Sequence, residues 1–180
     1  MPSISTPNVF TITGDRPGEG CGTRPALFER REPERAITYW KQRAVRLRHP
    51  PTLMTLDANE MSTHEWAHRF ILAIDTAVEN WVPLIYGPKF AELLDLPANP
   101  FPDIPMIEQL PQRFAPLFTK GGSDAAANIG TQVRMEGTVR REDGRDELYR
   151  AVFIAFGVKP DSLTRLAFGA FSSCVRHRQL

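Results

Sequence analysis

The pentapeptide His64-Glu65-Trp66-Ala67-His68 matches the pattern H-E-x-x-H, which is known for binding catalytic zinc. On an α-helix, histidines four residues apart lie on one face and can both reach a zinc ion. The glutamate between them can then act as the general base towards the zinc-bound water. The motif therefore raises the hypothesis of a small zinc-dependent hydrolase that uses His64, Glu65 and His68.

The residues after this motif argue against zinc catalysis. In the extended H-E-x-x-H-x-x-G-x-x-H pattern, Ile71 and Ile74 stand where the glycine and the third histidine are required. A strand pattern begins directly after the motif, which predicts that the helix ends near Ala67 and that the second histidine leaves the shared face. We therefore expect no zinc here, although the spacing leaves Glu79 or Glu92 open as a third ligand.

The composition is that of one globular domain. The chain has 180 residues, 42% of them hydrophobic, and a formal net charge of +1, so it offers no strong basic field to nucleic acid or to an anionic membrane. Its two cysteines, Cys21 and Cys174, form no C-x-x-C pair, which argues against a cysteine zinc site and a disulfide framework. No signal peptide or membrane-spanning apolar run is recognisable. We expect a cytoplasmic protein that binds neither nucleic acid nor membranes.

Two segments precede the main domain core. Residues 1–32 are rich in proline and glycine, which predicts a mobile arm, with a short strand at Val9–Thr13. Residues 33–180 are predicted to form a single domain that begins with a helix over Pro33–Arg48, since proline suits the first helical turn. The apolar residues of this helix recur at intervals of three and four and form one stripe. They are Ile37, Trp40, Ala44 and Leu47.

Five segments have the alternation or the apolar composition of β-strands. They are Arg69–Asp75, Val78–Tyr86, Thr131–Arg140, Leu148–Val158 and Leu163–Arg176. The last two are apolar on both faces, which is typical of central strands. Pro83 has no amide hydrogen, so we expect the second strand to lie at an edge of the sheet or to be bulged. Glu142-Asp143-Gly144 predicts a hairpin turn between the third and fourth strands, because glycine tolerates a positive φ.

Short helices are predicted around and between these strands. They span Ala58 to about Ala67, Pro88–Leu96 and Ile107–Thr119. The first is indicated by the capping box Asp57-x-x-Glu60. In the third, prolines at 111 and 116 must lie at ends or kinks, and Gly121-Gly122 is expected to break the helix.

The order of two strands, short helices and three strands predicts an α+β fold. It is satisfied by a five-stranded antiparallel sheet with the short helices on one face, preceded by an N-terminal amphipathic helix. That leading helix should cover the other face of the sheet or contact the same helix of a second chain. A cone-shaped α+β enzyme, in which helices come first and a curved sheet follows, is an alternative that the early strand pair argues against.

The stretch Arg69–Pro97 resembles the opening of a PAS sensor domain, with two strands and then a helix carrying F-x-x-L-L at residues 90–94. The segment Arg140–Arg145, followed by two long strands, is similar to a later part of that family. A leading helix with a tryptophan, here Trp40, resembles the short free-standing bacterial members. The resemblance implies a PAS-like fold and a non-catalytic sensory or protein-interaction module in signal transduction, with a homodimer formed through the N-terminal helix.

The resemblance also implies a ligand cavity between the helix over residues 107–119 and the inner face of the sheet. Its partner would be a small molecule, a signalling protein or both. Aromatic residues on these elements are the predicted lining: Tyr86, Phe90, Phe114, Phe118, Tyr149, Phe153 and Phe168. Haem is not expected, because no histidine lies between Pro97 and Gly130. Flavin photochemistry is not expected either, since neither cysteine lies near the relevant helix.

Overall fold

The computed structural model describes residues 31–56, 64–75, 80–157 and 163–176. Within them the helices and strands follow the predicted order. They are α1 (Glu32–Leu47), two 3-10 turns (Leu53–Thr55 and His64–Trp66), β1 (Arg69–Asp75), β2 (Asn80–Tyr86), α2 (Pro88–Leu93), α3 (Met106–Gln109), α4 (Ala115–Ala127), β3 (Gln132–Arg140), β4 (Asp146–Gly157) and β5 (Thr164–Val175).

The strands form one antiparallel sheet in the order β2-β1-β5-β4-β3. The predicted fold class, α+β with a PAS-like five-stranded antiparallel sheet, is therefore confirmed. Strands β4 and β5 lie inside the sheet, and their runs of apolar residues are buried on both faces, as predicted. Gly144 has a φ of 77° in the hairpin between β3 and β4, which agrees with the predicted turn.

Strand β2 is both an edge strand and irregular, as its proline predicted. Ile71 pairs with Ile85, whereas the next residue, Leu72, pairs with Pro83, so Leu84 is an extra residue on the β2 side. A proline is tolerated here because the sheet continues on only one side of β2.

Helix α1 covers the outer face of the sheet, which is the first of the two arrangements predicted for it. Pro33 lies in its first turn. The N-terminal part of the predicted stripe is buried: Ile37 and Trp40 pack with Ala36 against β4 and β5. Ala44 and Leu47, in the C-terminal part, are half-buried.

The helices of the inner face differ from the prediction in their bounds, since the helix after β2 already ends at Leu93. The segment predicted as one helix is two, α3 and α4, with Pro111 in the link between them and Pro116 in the first turn of α4. Gly121-Gly122 was expected to end this helix, and that expectation is wrong: α4 continues through both glycines to Ala127.

Close packing explains why two poor helix formers lie in the middle of α4. A Cβ atom on Gly121 would overlap the ring of Phe153 and approach the sulfur of Met135 to 2.8 Å. A Cβ atom on Gly122 would overlap the six-membered ring of Trp81. The glycines thus let the helix backbone approach the sheet, at an intrinsic cost of about 1 kcal/mol each relative to alanine.

Several predictions fall on residues outside the described ranges. These are the mobile arm, apart from its last two residues, the short strand at Val9–Thr13 and the capping box Asp57-x-x-Glu60. In the described part of the chain, no helix combines the length and the apolar character that crossing a membrane requires.

Candidate functional site

The H-E-x-x-H residues do not lie on an α-helix. His64–Trp66 form a single 3-10 turn, and β1 begins at Arg69, so the geometry that brings histidines four residues apart onto one face is missing. His68 instead donates from Nδ1 to the backbone carbonyl of Phe171, at 3.1 Å. Within the described ranges, no three His, Cys, Asp or Glu side chains are arranged to hold a metal ion. The zinc hydrolase hypothesis therefore gains no support from this geometry.

Six of the seven predicted lining residues lie together under the helices of the inner face. They are Tyr86, Phe90, Phe114, Phe118, Tyr149 and Phe153. All six are buried in one cluster, to which Phe70 and Phe171 also contribute rings. The topology thus brings these residues together as predicted.

Direct ring contacts fill most of the space between these side chains. Phe118 lies at the centre of the cluster, with ring centroids 5.5 Å from Phe153 and 5.9 Å from Phe90. Phe114 lies 5.1 Å from Phe171 and 6.0 Å from Tyr149. Such edge-to-face and tilted pairs are a favourable packing for aromatic rings. These rings therefore form the core itself, and Phe118 is the member of the predicted set that also lines the cavity described below.

Phe168 does not belong to this group, because it lies on the outer face of the sheet. Its ring stacks on Trp40 at a centroid distance of 5.3 Å and meets Trp66 edge-on at 5.7 Å. Side chains alternate between the faces of a strand, so Phe171, three residues later, points to the inner face instead. Phe168 was expected on the inner face of the sheet, and that expectation was wrong.

A cavity of about 290 Å³ lies between the edge of the sheet and helices α3 and α4. Its walls are mostly apolar. The lining residues are Leu72, Trp81, Met106, Ile107, Leu110, Ala115, Phe118 and Thr119. The volume is near the lower end of the range of about 300–1,000 Å³ that is usual for ligand pockets. This lies in the predicted region, but its walls are chiefly aliphatic rather than the aromatic set that was expected.

The local chain geometry explains why this space stays open. Leu72 and Trp81 point inward from β1 and β2, and Trp81 is held against Gly122 of α4. Because the link through Pro111 separates α3 from α4, Leu110 and Ala115 border the cavity from two different segments. The alternation of residues along β2, which was visible in the sequence, places Trp81 on the same face as Pro83. It was the one sequence signal that could have identified Trp81 as part of the cavity wall.

A surface groove along α4 lies next to the cavity. The groove measures about 600 Å³ and shares Ile107, Ala115 and Thr119 with the cavity. Gln112, Lys120 and Ser123 supply its polar rim.

A second cleft, which is polar and measures about 530 Å³, is separated from the apolar cavity by Leu110. It is formed by the end of α2, the link between α3 and α4, and the β3–β4 hairpin. Its lining residues are Leu94, Asp95, Gln109, Leu110, Pro111, Arg113, Arg141, Glu142 and Asp143. We call it the arginine cleft.

A buried carboxylate beneath the arginine cleft binds both of its arginines. Glu147 on β4 has a side chain that is only 3% exposed, and its Oε2 accepts from Nε of Arg113 at 3.1 Å and from Nη1 of Arg141 at 3.2 Å. The hydroxyl of Ser173 on β5 donates to Oε1 at 2.6 Å. Burying a charge is costly unless it is paired and hydrogen-bonded, and Glu147 meets both conditions.

The inner face also holds two tyrosines whose ionisation is altered by their surroundings. Burial raises the pKa of Tyr86 and the pKa of Tyr149 above the ordinary value of 10.0. The hydroxyl of Tyr86 donates to the backbone carbonyl of Pro97 at 2.8 Å. Both side chains are therefore neutral in the folded protein at any physiological pH.

Comparisons with known proteins were made for the sequence and for the fold. No protein-family model matches the chain, and no curated protein matches it significantly. Eight chains of solved structures match its fold. One is described as an RNA-binding light-oxygen-voltage receptor, with a TM-score of 0.40 and 14% identity over 63% of this chain.

The match to that receptor is limited in extent. It covers 32% of the receptor chain, so this protein corresponds to less than half of that molecule. At this identity and TM-score, neither the receptor's activity nor its binding is transferred to this chain. The fold itself, a PAS-like α+β domain, is defined by the sheet and by the helices on its two faces.

Proposed function

We propose that this protein is a sensory module of the PAS-like type without catalytic activity, and that it binds a small, mostly apolar molecule in the cavity beside Trp81. The observation that carries the proposal is the cavity itself, whose lining is mostly apolar and includes the buried side chains of Leu72, Trp81 and Phe118. Sites of this kind, concave and largely preformed, are the usual form of small-molecule pockets.

A ligand in this cavity would act by shifting the population of two arrangements of α3 and α4. Both helices border the cavity, whereas the sheet behind them is held by continuous strand pairing and by the ring cluster. The part of the molecule that responds to the ligand would then be the helical layer, and a partner protein would detect that layer.

We also propose a homodimer that forms through the N-terminal helix. Its contact surface is smaller than the apolar stripe that the sequence predicted. Ile37 and Trp40 are buried within the chain, so they are not free to contact a second copy. Val45, near the C-terminal end of α1, is 78% exposed. Sedimentation equilibrium of the wild-type protein and of Val45→Glu would test this contact, since a dimer held there should dissociate in the variant.

The ligand proposal can be tested by NMR with indole and benzene as probes. The chain has three tryptophans, so the indole N–H region of a ¹H–¹⁵N spectrum should contain three signals, and the signal lost in Trp81→Phe identifies Trp81. We expect a saturable shift of the Trp81 signal with at least one probe and little change for Trp40 and Trp66, which lie on the outer face.

A matched pair of variants separates binding at the cavity and its adjoining groove from binding elsewhere on the surface. Ala115→Leu adds bulk at the cavity wall and should abolish the saturable shift. Ala127→Leu makes the same change at the exposed end of α4 and should leave it intact. The proposal fails if neither probe gives a saturable shift, or if binding is unchanged in Ala115→Leu.

A further inference from the structure

The arginine cleft presents hydrogen-bond donors that the protein itself does not use. Arg113 engages Glu147 only through Nε, and among the described residues neither of its terminal nitrogens has a hydrogen-bond partner. Arg141 uses Nη1 for Glu147 and Nε for Asp143, which leaves Nη2 without a partner in the same part of the chain. Both side chains are partly exposed and border the cleft.

These two guanidinium groups are held in place rather than free to move. Arg113 and Arg141 share one oxygen of a carboxylate that is itself buried and fixed by Ser173. The guanidinium of Arg113 also lies over the ring of Phe114, with its central carbon 4.8 Å from the ring centroid. Such fixed forks suit a carboxylate ligand, because a planar guanidinium can donate two parallel hydrogen bonds to it.

The cleft also carries negative charge, which determines what kind of ligand it can accept. Asp143 is neutralised by Arg145, whose Nη2 lies 2.7 Å from its carboxylate. The carboxylates of Asp95 and Glu142, in contrast, have no ion-pair partner within the described residues. A simple anion would leave these two carboxylates unpaired, whereas a ligand that carries both charges can pair with them and with the unused arginine nitrogens.

We propose that the arginine cleft binds a zwitterion of the α-amino acid class with an apolar side chain. Its carboxylate accepts hydrogen bonds from the terminal nitrogens of Arg113 and Arg141, and its ammonium group lies towards Asp95 and Glu142. The apolar part of the lining, Leu94, Leu110 and Pro111, receives the side chain. This site shares only Leu110 with the apolar cavity and does not depend on the cavity being occupied.

Three probes of matched shape test the proposal by isothermal titration calorimetry of the full chain. They are L-leucine, 4-methylpentanoate, which lacks the ammonium group, and 3-methylbutylamine, which lacks the carboxylate. We expect L-leucine to bind at least about tenfold more tightly than either of the others, since each analogue loses one set of charged contacts. Equal binding of 4-methylpentanoate would overturn the zwitterion assignment, and no binding by any probe would overturn the site.

A double variant on the exposed wall leaves the partners of the buried carboxylate unchanged, whereas a variant of Arg113 tests the arginine fork itself. Asp95→Asn combined with Glu142→Gln should weaken L-leucine binding to the level of 4-methylpentanoate, with no change in the melting temperature. Arg113→Lys keeps the charge but removes the fork, and it should weaken both carboxylate probes about tenfold. Glu108→Gln, an exposed change of the same type on α3 outside the cleft, is the control and should bind like wild type. Leucine affinity that is unchanged in the double variant and in Arg113→Lys would refute the proposal.

Discussion

On the outer face of the sheet, helix α1 and one short turn supply the rings that pack on β4 and β5, whereas three short helices share the inner face. The outer cluster is centred on Phe168, which contacts Trp40, Trp66 and Tyr39. The inner cluster is larger and is centred on Phe118 and its neighbouring rings. Of the cavities described above, the one inside the fold lies on the inner face, between the helices and the edge of the sheet.

The inner face differs from the outer face in having a cavity that can respond to a ligand. A single long helix with a stripe of large residues packs densely, because its side chains recur with the period of the helix. Short helices broken by prolines cannot interdigitate as regularly, and they leave a cavity where two of them meet the edge strand. Both clusters are buried and should contribute to stability, whereas ligand binding is expected to depend on the inner face alone.

The largest expected effect comes from truncating the outer cluster. Trp40→Ala should lower the free energy of unfolding by about 3–5 kcal/mol, because the ring is buried and contacts both Phe156 and Phe168. Urea unfolding followed by circular dichroism would measure it. Gln42→Ala, at an exposed position of the same helix, is the control and should change stability by less than about 0.5 kcal/mol. Equal effects of both variants would show that α1 does not hold the outer face.

A moderate effect is expected where α4 approaches the sheet. Gly122→Ala should destabilise the protein by about 1–3 kcal/mol, although alanine is the better helix former, because the new methyl group overlaps the ring of Trp81. Displacing that ring should also alter probe binding in the cavity, which Trp40→Ala should not do in protein that still folds. Stabilisation by Gly122→Ala would mean that the close contact does not exist in solution.

The smallest effect concerns alkaline pH. The pKa values of Tyr86 and Tyr149 are raised by burial, so above pH 10 the unfolded chain loses protons that the folded protein keeps. The free energy of unfolding should therefore fall as pH rises above about 10, until the raised folded pKa values are passed. Urea midpoints between about pH 9 and pH 11.5 would show this, and Tyr149→Phe should flatten the slope relative to wild type. A slope that is identical in the variant would contradict the burial effect.

The strands were predictable because their signal is local. Alternation and apolar runs placed β1 at its observed bounds, and Pro83 correctly indicated an irregular edge strand. The assignment of Phe168 to the inner face failed, since neighbouring residues of a central strand are all apolar and do not reveal which of them points inward. Phe171 was missed for the same reason.

The glycines and the cavity depend on tertiary packing, which no local pattern reports. The propensity of Gly121-Gly122 predicts a helix break, and only the position of Phe153 and Trp81 explains why the helix continues. Similarly, aromatic residues on converging elements were expected to line a cavity, but large rings fill space. The space that remains open lies where smaller and aliphatic side chains meet, at Leu72, Leu110 and Ala115.

The bulged edge strand β2 has a consequence for how this protein meets other chains. A regular edge strand offers unpaired amide and carbonyl groups on which a foreign strand can assemble, and this is a common route to aggregation. Pro83 removes one amide hydrogen from β2, and the extra residue at Leu84 interrupts the regular spacing of the remaining groups. Extension of the sheet by another molecule is therefore disfavoured along β2, where a partner is expected to recognise side chains rather than add a strand.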